Sequence, residues 1–363
     1  MQGNYYALNN RSGLKREDFQ TQVGDKHTDL FILTNGQIEV AVTNYGGAIL
    51  AIMTPDKDGH YANIVQGHDH IQALINSPEP FLSTLIGRYG NRIAKGKFIL
   101  DGVSYSLNIN NGPNSLHGGP TGFHKRVWDA VQTAENTLRL SYVSAHMEEG
   151  FPGELKTTVI YTLTAENELK ITYEATTDRK TIVNLTHHAF FSLAGTAAST
   201  PVIDEQVLTL YADHFVPIDE VSIPTGEIWN VAGTPMDFRT PHTIGSRIDE
   251  VYEQLQFGAG YDHCFVLNKQ EAGALSLAAH CVEPQSGRSI EVYTTEPGLQ
   301  IYTSNWHNGF AGYKGHTFPR RSAICFEAQR FPDTPNKAHF PTAVLNPGEV
   351  YRQETIYKFG VEA

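Results

Sequence analysis

Cysteine, clustered basic charge and long apolar runs are all scarce in this sequence of 363 residues. Cys264, Cys281 and Cys325 are odd in number and form no CxxC pair, so we expect buried free thiols. The 27 Lys and Arg residues stand against 39 Asp and Glu residues, a formal net charge of −12. Because nucleic-acid binding depends on clustered Lys and Arg, we expect no nucleic-acid partner. No window approaches about 18 apolar residues, so we expect no membrane span.

The beginning of the chain, Met1–Tyr6, lacks the basic stretch and the apolar stretch of a signal peptide. Free cysteines also fit a reducing compartment best. These two features predict a cytoplasmic protein, with an export signal ahead of Met1 as the open alternative.

Alternating apolar and polar residues dominate the chain from residue 30 onward and predict strands. Asn35-Gly36 and Asp101-Gly102 each separate two such runs, which is the strongest short-range signal for a β-hairpin. Helical patterns are confined to two short stretches, at 69–76 and 245–256. With 32 Gly and 18 Pro in the chain, these features predict an all-β fold, a large antiparallel β-sandwich or barrel.

No internal repeat, low-complexity tract or linker divides the sequence. Residues 1–28 are polar and aperiodic, which predicts an N-terminal arm or loop packed on the main body. We expect residues 29–363 to form a single domain.

The segment 183–193 combines apolar and polar residues in an unusual way. If it forms one strand, Val183, Leu185 and Ala189 share one face. The other face carries the polar members of the run: Asn184, Thr186 and His188. The pattern predicts one face for a core and one for a polar ligand, and it makes His188 a candidate catalytic acid.

The segment 322–329 repeats this arrangement. Its apolar side chains fall on one face: Ile324, Phe326 and Ala328. Glu327 falls on the second face, with only small or apolar residues around it within the run. Burial there would raise its pKa toward that of a working general base. The alternative is a surface carboxylate on a solvated sheet face.

Several isolated polar residues are candidates for ligand contacts. Arg88 and Arg92 lie in a glycine-rich loop, and a guanidinium suits hydroxyl or carboxylate partners. His117 precedes two glycines, which would let a ligand approach its ring. Asp262 enters an apolar strand, and Gln300 alternates with apolar residues in another. Each also has a structural alternative, such as a salt bridge for an arginine or a turn cap for Asp262.

Generic catalytic and metal motifs are absent. The chain has no GxSxG, HExxH, Walker or GxGxxG motif in the required context. The best metal-ligand candidates are His68, His70 and the adjacent pair His187 and His188. Their spacing, without further Cys or His ligands, is weak evidence, so we expect no metal.

Six motifs, in this order along the chain, resemble the aldose 1-epimerase (galactose mutarotase) family. They are Asn91-Arg92, Asn114-Ser115-Leu116-His117-Gly118-Gly119, Asn184-Leu185-Thr186-His187-His188, Tyr261-Asp262-His263, Pro297-Gly298-Leu299-Gln300 and Phe326-Glu327-Ala328-Gln329. Each motif is weak by itself, but their fixed order, from about Leu30 to the C-terminus, is highly specific.

The resemblance implies a β-sandwich of the galactose mutarotase type, with a sugar groove, that interconverts the α and β anomers of free aldoses. It implies that Glu327 is the general base and His188 the general acid. The implied substrate-binding residues are Asn91, Arg92, His117, Asp262 and Gln300. It also implies a small-molecule aldose as partner and no cofactor. We expect a monomer or a homodimer.

One departure from the family pattern concerns His187, where the family often has Asn. By strand alternation His187 should face away from His188, so the departure bears on sugar preference. Two alternatives for the function are a hexose-6-phosphate 1-epimerase of the same superfamily and a non-catalytic carbohydrate-binding module. The first would need extra basic residues at the groove, and the second should lack the acid or the base. A glycosidase is a third alternative, which would use two carboxylates.

Overall fold

The regular secondary structure of the computed structural model, which describes residues 10–199 and 202–362, consists mainly of β-strands. Two short α-helices are present in these ranges, α1 (Ile71–Ile75) and α2 (Glu253–Gly258). Short 3₁₀ turns occupy Arg16–Phe19, Ala94–Gly96, Phe123–Lys125, Glu148–Gly150, Ile244–Ser246, Tyr313–Gly315 and Thr334–Asn336. The predicted all-β class is confirmed. Of the helix expected at 245–256 only the last residues are helical, in α2, and a 3₁₀ turn occupies the start of that stretch.

The strands follow in chain order. The first eleven are β1 Gln22–Val23, β2 Lys26–His27, β3 Leu30–Thr34, β4 Glu39–Thr43, β5 Ile49–Pro55, β6 Tyr61–Asn63, β7 Leu85–Ile86, β8 Arg92–Ile93, β9 Lys97–Leu100, β10 Val103–Ser106 and β11 Ser115–Leu116. The next ten are β12 Asp129–Ala134, β13 Thr137–Ser144, β14 Leu155–Leu163, β15 Glu168–Thr177, β16 Thr181–Ile182, β17 Thr186–His187, β18 Phe190–Phe191, β19 Val207–Leu210, β20 His214–Val216 and β21 Trp229–Asn230. The last ten are β22 His242–Thr243, β23 Asp262–Val266, β24 Ser276–Val282, β25 Arg288–Thr294, β26 Gly298–Tyr302, β27 Phe310–Ala311, β28 Thr317–Phe318, β29 Ile324–Gln329, β30 Val344–Leu345 and β31 Tyr351–Val361.

Two large antiparallel sheets form the sandwich. The larger has nine strands in the order β12-β13-β14-β15-β31-β25-β24-β19-β22. The second has six strands in the order β18-β29-β26-β23-β20-β21. A separate four-stranded sheet, β3-β4-β5-β6, is formed by strands near the N-terminus.

The main core draws apolar side chains from both large sheets. Tyr173 and Tyr357 enter it from the nine-stranded sheet, and Leu299 and Phe326 enter it from the six-stranded sheet. The Tyr357 hydroxyl donates to the carbonyl oxygen of Phe326 at 2.9 Å, which links β31 to β29 across the core. One face of β29 is therefore fixed against the core, and its other face is free to build a site.

The hairpin at Asp101-Gly102 is confirmed. Val103 pairs with Leu100 across a two-residue turn. Asp101 and Gly102 both have positive φ angles, of 51° and 78°, as a type I′ turn requires.

The segment 183–193 is not the continuous strand that its alternation predicts. It contains β17 and β18, which pair with two different partners, β7 and β29, and it directly follows β16, which pairs with β30. Because the segment crosses from one partner to the next, no single ladder can run through it. The division of its faces nevertheless holds, since Val183, Leu185 and Ala189 all lie in the main core.

The N-terminal segment from residue 10 lies against the four-stranded sheet. Leu14 and Phe19 are buried in a small cluster with Leu30 and Ile32. The proposed boundary between an arm over 1–28 and a domain over 29–363 stays a prediction, and residues 1–9 lie outside the described part. In the described ranges, neither helix has the length and apolar character needed to cross a bilayer.

Candidate active site

A pocket of about 300 Å³ opens on the face of the six-stranded sheet that points away from the core. Its wall contains Glu79, Pro80, Phe81, Asn91, Arg92, Asn111, Leu116, His117, His188, Asp262, Tyr302, Trp306 and Glu327. A larger groove of about 690 Å³ lies beside residues 20–31, but its charged side chains are at least partly exposed to solvent. Of these two, only the smaller pocket has buried titratable groups in its wall.

Strand register explains why distant residues meet in this pocket. Glu327 on β29 lies opposite Gln300 on β26, and Asp262 on β23 lies opposite Tyr302 on β26. These three strands are neighbours in the sheet. Because side chains alternate between faces, residues 262, 300, 302 and 327 all point to the same side. The apolar residues between them, such as Phe326, point into the core.

His188 and Glu327 lie side by side at the bottom of the pocket. His188 Nε2 is 3.4 Å from Glu327 Oε1, and the two side chains are only 7% and 2% exposed. Burial raises the pKa of Glu327 well above its ordinary value, and Asp262 adds to that rise while Arg92 opposes it. Burial also lowers the pKa of His188 to about 3. Both shifts have the same cause, the cost of holding a charge away from water.

His117 has a tautomer that its backbone contact determines. The Asn91 backbone N–H donates to His117 Nδ1 at 3.0 Å, so Nδ1 must hold its lone pair and Nε2 must carry the proton. Burial lowers the pKa of His117 well below its ordinary value, which keeps the ring neutral. His117 therefore offers a neutral N–H donor beside His188, whose ring centroid lies 5.1 Å away.

This tautomer also bears on metal binding. Ligand atoms of His117, His188 and Glu327 lie within 4.8 Å of one another. A metal ion on His117 Nε2 would move the ring proton to Nδ1, where it would face the Asn91 N–H. The group is therefore better suited to hydrogen bonding with an organic ligand than to holding a metal.

Arg92, Asp262 and Gln300 form a connected polar network. Arg92 Nη1 lies 3.7 Å from Asp262 Oδ2, and the Gln300 amide donates to Asp262 Oδ1 at 2.7 Å. Arg92 Nε also donates to Asn111 Oδ1 at 2.9 Å. Burial raises the pKa of Asp262, although Arg92 and the Gln300 amide oppose that rise. The Gln300 carbonyl oxygen is buried without a partner in the described residues, which leaves an acceptor for a ligand.

The two arginines of the glycine-rich loop have different roles in the structure. The Arg88 guanidinium is buried and donates to the carbonyl oxygens of Ser144, Pro152 and Gly153, so it fixes loops. Arg92 reaches the pocket. Only the second is a candidate for ligand binding, and the sequence pattern alone did not separate them.

The two adjacent histidines point in different directions. His187 Nε2 lies 3.4 Å from the Gly47 carbonyl oxygen, and its ring packs edge-on against Tyr161. His188 lines the pocket. The predicted opposite orientation of His187 is therefore confirmed, and its surroundings are those of a packed core residue.

Of the seven site residues that the family resemblance implies, six lie in the pocket wall, and the seventh, Gln300, contacts the wall residue Asp262. The wall residues that were not predicted include Glu79, Phe81 and Asn111. Phe81 packs against His117 with ring centroids 4.7 Å apart. These residues lie in loops without periodic patterns, and the only local signal is the Pro-Glu-Pro sequence around Glu79.

Comparisons with known proteins agree with the fold and the pocket. The family model for aldose 1-epimerase matches residues 29–358. The galactose mutarotase of Bos taurus is 41% identical over 340 residues, covering 93% of this chain and 96% of the bovine protein. The aldose 1-epimerase of Escherichia coli (strain K12) is 34% identical over 341 residues, covering 93% and 97%.

Solved structures give the same result. An aldose epimerase homologue from C. elegans superposes with a TM-score of 0.85 and 29% identity, covering 93% of this chain and 100% of the other. A galactose 1-epimerase from Lactobacillus acidophilus NCFM gives a TM-score of 0.82 and 26% identity, covering 94% and 97%. Because the family model matches residues 29–358, which is most of this chain, the chain belongs to the aldose 1-epimerase family.

Proposed function

We propose that this protein is an aldose 1-epimerase that interconverts the α and β anomers of free aldohexoses, such as glucose and galactose, with Glu327 as general base and His188 as general acid. The observation that carries the proposal is the 3.4 Å contact between His188 Nε2 and Glu327 Oε1 inside a pocket of about 300 Å³. A carboxylate and an imidazole at that distance can act on two oxygens of one sugar ring.

Ring opening needs one proton removed and one supplied. Glu327 takes the proton from the anomeric hydroxyl, the bond between carbon 1 and the ring oxygen breaks, and His188 protonates the departing ring oxygen. The carbonyl at carbon 1 forms in the same step. Each positioned proton transfer contributes about 10²–10⁴-fold to the rate.

Ring closure runs the same roles backwards. Rotation about the bond between carbons 1 and 2 presents the other face of the carbonyl. His188 then takes the proton from the hydroxyl that attacks carbon 1, and Glu327 returns its proton to the carbonyl oxygen. The His188–Glu327 pair therefore holds one titratable proton both before ring opening and after ring closure. Burial, which raises the pKa of Glu327 and lowers that of His188, favours the state reached after opening.

The remaining polar groups suit substrate binding. The His117 Nε2–H can donate to the anomeric oxygen as negative charge develops there. Asp262 and the free carbonyl oxygen of Gln300 can accept hydrogen bonds from sugar hydroxyls. Arg92 can donate to a hydroxyl, and Asn91 holds His117 in its donor tautomer.

The alternatives fit the pocket less well. A hexose-6-phosphate epimerase needs cationic groups for the phosphate, but Arg92 is the only Lys or Arg side chain among the described wall residues, and it already faces Asp262. A carbohydrate-binding module has no need of a buried His–Glu pair. A glycosidase would use two carboxylates as acid and base, whereas the acid position here is held by His188.

We also expect the protein to act in the cytoplasm as a monomer or a homodimer, with no membrane association. The buried free thiols of Cys264, Cys281 and Cys325 support a reducing compartment.

Polarimetry tests the activity. The protein should speed the loss of optical rotation of freshly dissolved α-glucose and α-galactose far more than it speeds that of their 6-phosphates. A rate equal to that of buffer for the free sugars, or a clear preference for the phosphates, would overturn the proposal.

A further inference from the structure

We propose that Glu79 is a specificity-determining residue of this pocket. Its free carboxylate oxygen accepts a hydrogen bond from a hydroxyl of the aldose, and its charge discriminates against aldoses that carry an anionic group. This inference rests on the proposed epimerase function and concerns the class of aldose that the site accepts.

One oxygen of the Glu79 carboxylate accepts a hydrogen bond, and the other has no hydrogen-bond donor among the described residues. Its Oε1 accepts a hydrogen bond from the Phe81 backbone N–H at 3.2 Å. Its Oε2 lies 3.9 Å from His307 Nε2, which is beyond hydrogen-bond distance. No described residue donates a hydrogen bond to Oε2, and the side chain forms part of the pocket wall. Oε2 is therefore an open acceptor at the place where the sugar binds.

The backbone on both sides of Glu79 limits its movement. Pro78 and Pro80 flank the residue, and each proline fixes its own φ angle. The residue before a proline is also restricted to extended conformations. The next residue, Phe81, packs its ring against His117 at 4.7 Å and faces His188 at 6.4 Å. The segment is thus fixed to the catalytic side of the pocket, and little conformational entropy is lost when Glu79 binds a ligand.

The charges of the wall are unbalanced. Three carboxyl groups line the pocket, those of Glu79, Asp262 and Glu327, against the single guanidinium of Arg92, and burial favours a proton on Glu327, so the excess negative charge is that of Glu79. Arg92 pairs with Asp262 and not with Glu79. An anionic group on the substrate would lie near the Glu79 carboxylate without a compensating cation. Like charges at short range repel each other, which lowers the affinity for such a substrate.

The groups that face Glu79 do not neutralise it. Burial raises the pKa of Glu79 to about 7, so the carboxylate is mostly ionised at about pH 8. Burial lowers the pKa of His307 to about 4, so that ring is neutral there. Burial also raises the pKa values of Tyr302 and Cys325, which keeps both groups uncharged. Glu327, the other carboxyl nearby, has its pKa raised by burial as well.

Anomer exchange measured by NMR at about pH 8 tests this inference with glucose and glucuronate as probes, since neither needs to be supplied as a pure anomer. Glu79→Gln should lower kcat/KM for glucose about fivefold, chiefly through KM, and raise kcat/KM for glucuronate about fivefold. The preference for glucose over glucuronate should fall by more than about tenfold. A change of less than about twofold in that preference would overturn the inference.

Three further variants separate the possible causes. Glu79→Asp keeps the charge and should reject glucuronate much as the unsubstituted protein does, whereas Glu79→Gln should not. Glu135→Gln removes an exposed carboxylate on the β12–β13 turn and should leave the preference unchanged, which controls for net charge. Glu327→Gln should stop exchange of both sugars. If the unsubstituted protein does not accelerate exchange of glucose, the proposed function fails; if it does, and Glu327→Gln is inactive while Glu79→Gln keeps the preference, only the inference about Glu79 fails.

Discussion

At the scale of single residues, the pocket depends on how burial sets the protonation of its histidines and carboxylates. His188 and Glu327 are both shifted toward their neutral forms, while the Asn91 N–H holds His117 as a neutral donor. The pair therefore holds one proton over a wide range of pH. Both halves of the reaction need that singly protonated state.

The pH dependence of the rate follows from these shifts. Above the raised pKa of Glu327 the pair loses its proton, and below the pKa of His188, about 3, it gains a second one. We predict a bell-shaped dependence of kcat/KM on pH. Its two apparent pKa values describe the His188–Glu327 pair and not either residue alone. Anomer exchange rates between about pH 2 and 10 check this, and the upper limb should be missing from any residual activity of Glu327→Gln. A flat profile would contradict the assignment.

His117 should matter to the rate through its N–H donor. His117→Phe removes the donor and should lower kcat by about 10²-fold, because a donor to developing negative charge is lost. His117→Gln keeps an N–H group and should recover part of that loss. The control is His124→Gln, since His124 packs against Phe81 outside the pocket wall. Equal activity in His117→Phe and the unsubstituted protein would rule out a donor role.

At the scale of elements, β29 is positioned by contacts from the opposite sheet. Tyr357 donates to the Phe326 carbonyl oxygen, and the Gln353 amide donates to that of Ala328 at 3.0 Å. Both donors lie on β31, so the central strand of one sheet fixes the backbone on each side of Glu327. The position of the catalytic carboxylate is thus a property of the sandwich as well as of its own strand.

Tyr357→Phe tests this link. The change leaves a buried carbonyl without its partner and should lower the free energy of unfolding by about 1–2 kcal/mol, measured with urea. It should also lower kcat, because Glu327 loses part of its support. Tyr105→Phe is the matched control, since Tyr105 is half-buried on the β9–β10 hairpin and should change stability by less than about 0.5 kcal/mol. A larger effect for Tyr105→Phe than for Tyr357→Phe would contradict this account.

Hairpins and strand faces could be predicted because their signals are local. Asp101-Gly102 specifies its turn through two positive φ angles, and the alternation around Glu327 specifies which residues enter the core. The interruption of the segment 183–193 could not be predicted, because it depends on two partner strands that are distant in sequence. Glu79 was missed for a related reason, since it lies in a loop whose course is set by its neighbours.

At the scale of the whole molecule, the site is assembled from segments between residues 79 and 327. Strand patterns predict which face each residue takes, and the family resemblance supplied the grouping of His188, Glu327 and Asp262. Patterns alone could not have supplied it, because the register that brings these strands together is a long-range property.

The burial of the thiols gives a check on the whole fold. Cys264, Cys281 and Cys325 are all buried and free, and burial raises the pKa of each thiol. An aromatic disulfide reagent should therefore react slowly with the native protein and with all 3 thiols after unfolding in denaturant. Rapid reaction of the native protein would contradict the packing of both sheets.

The most direct test of the central claim compares anomer exchange in His188→Gln, Glu327→Gln and His187→Gln. We predict that each of the first two loses about 10²–10⁴-fold in kcat. His187→Gln alters a packed residue next in the chain and should keep kcat within about threefold while lowering the melting temperature. Near-normal rates in both His188→Gln and Glu327→Gln, or a loss in His187→Gln that equals theirs, would contradict the assignment of His188 and Glu327 as the acid and the base.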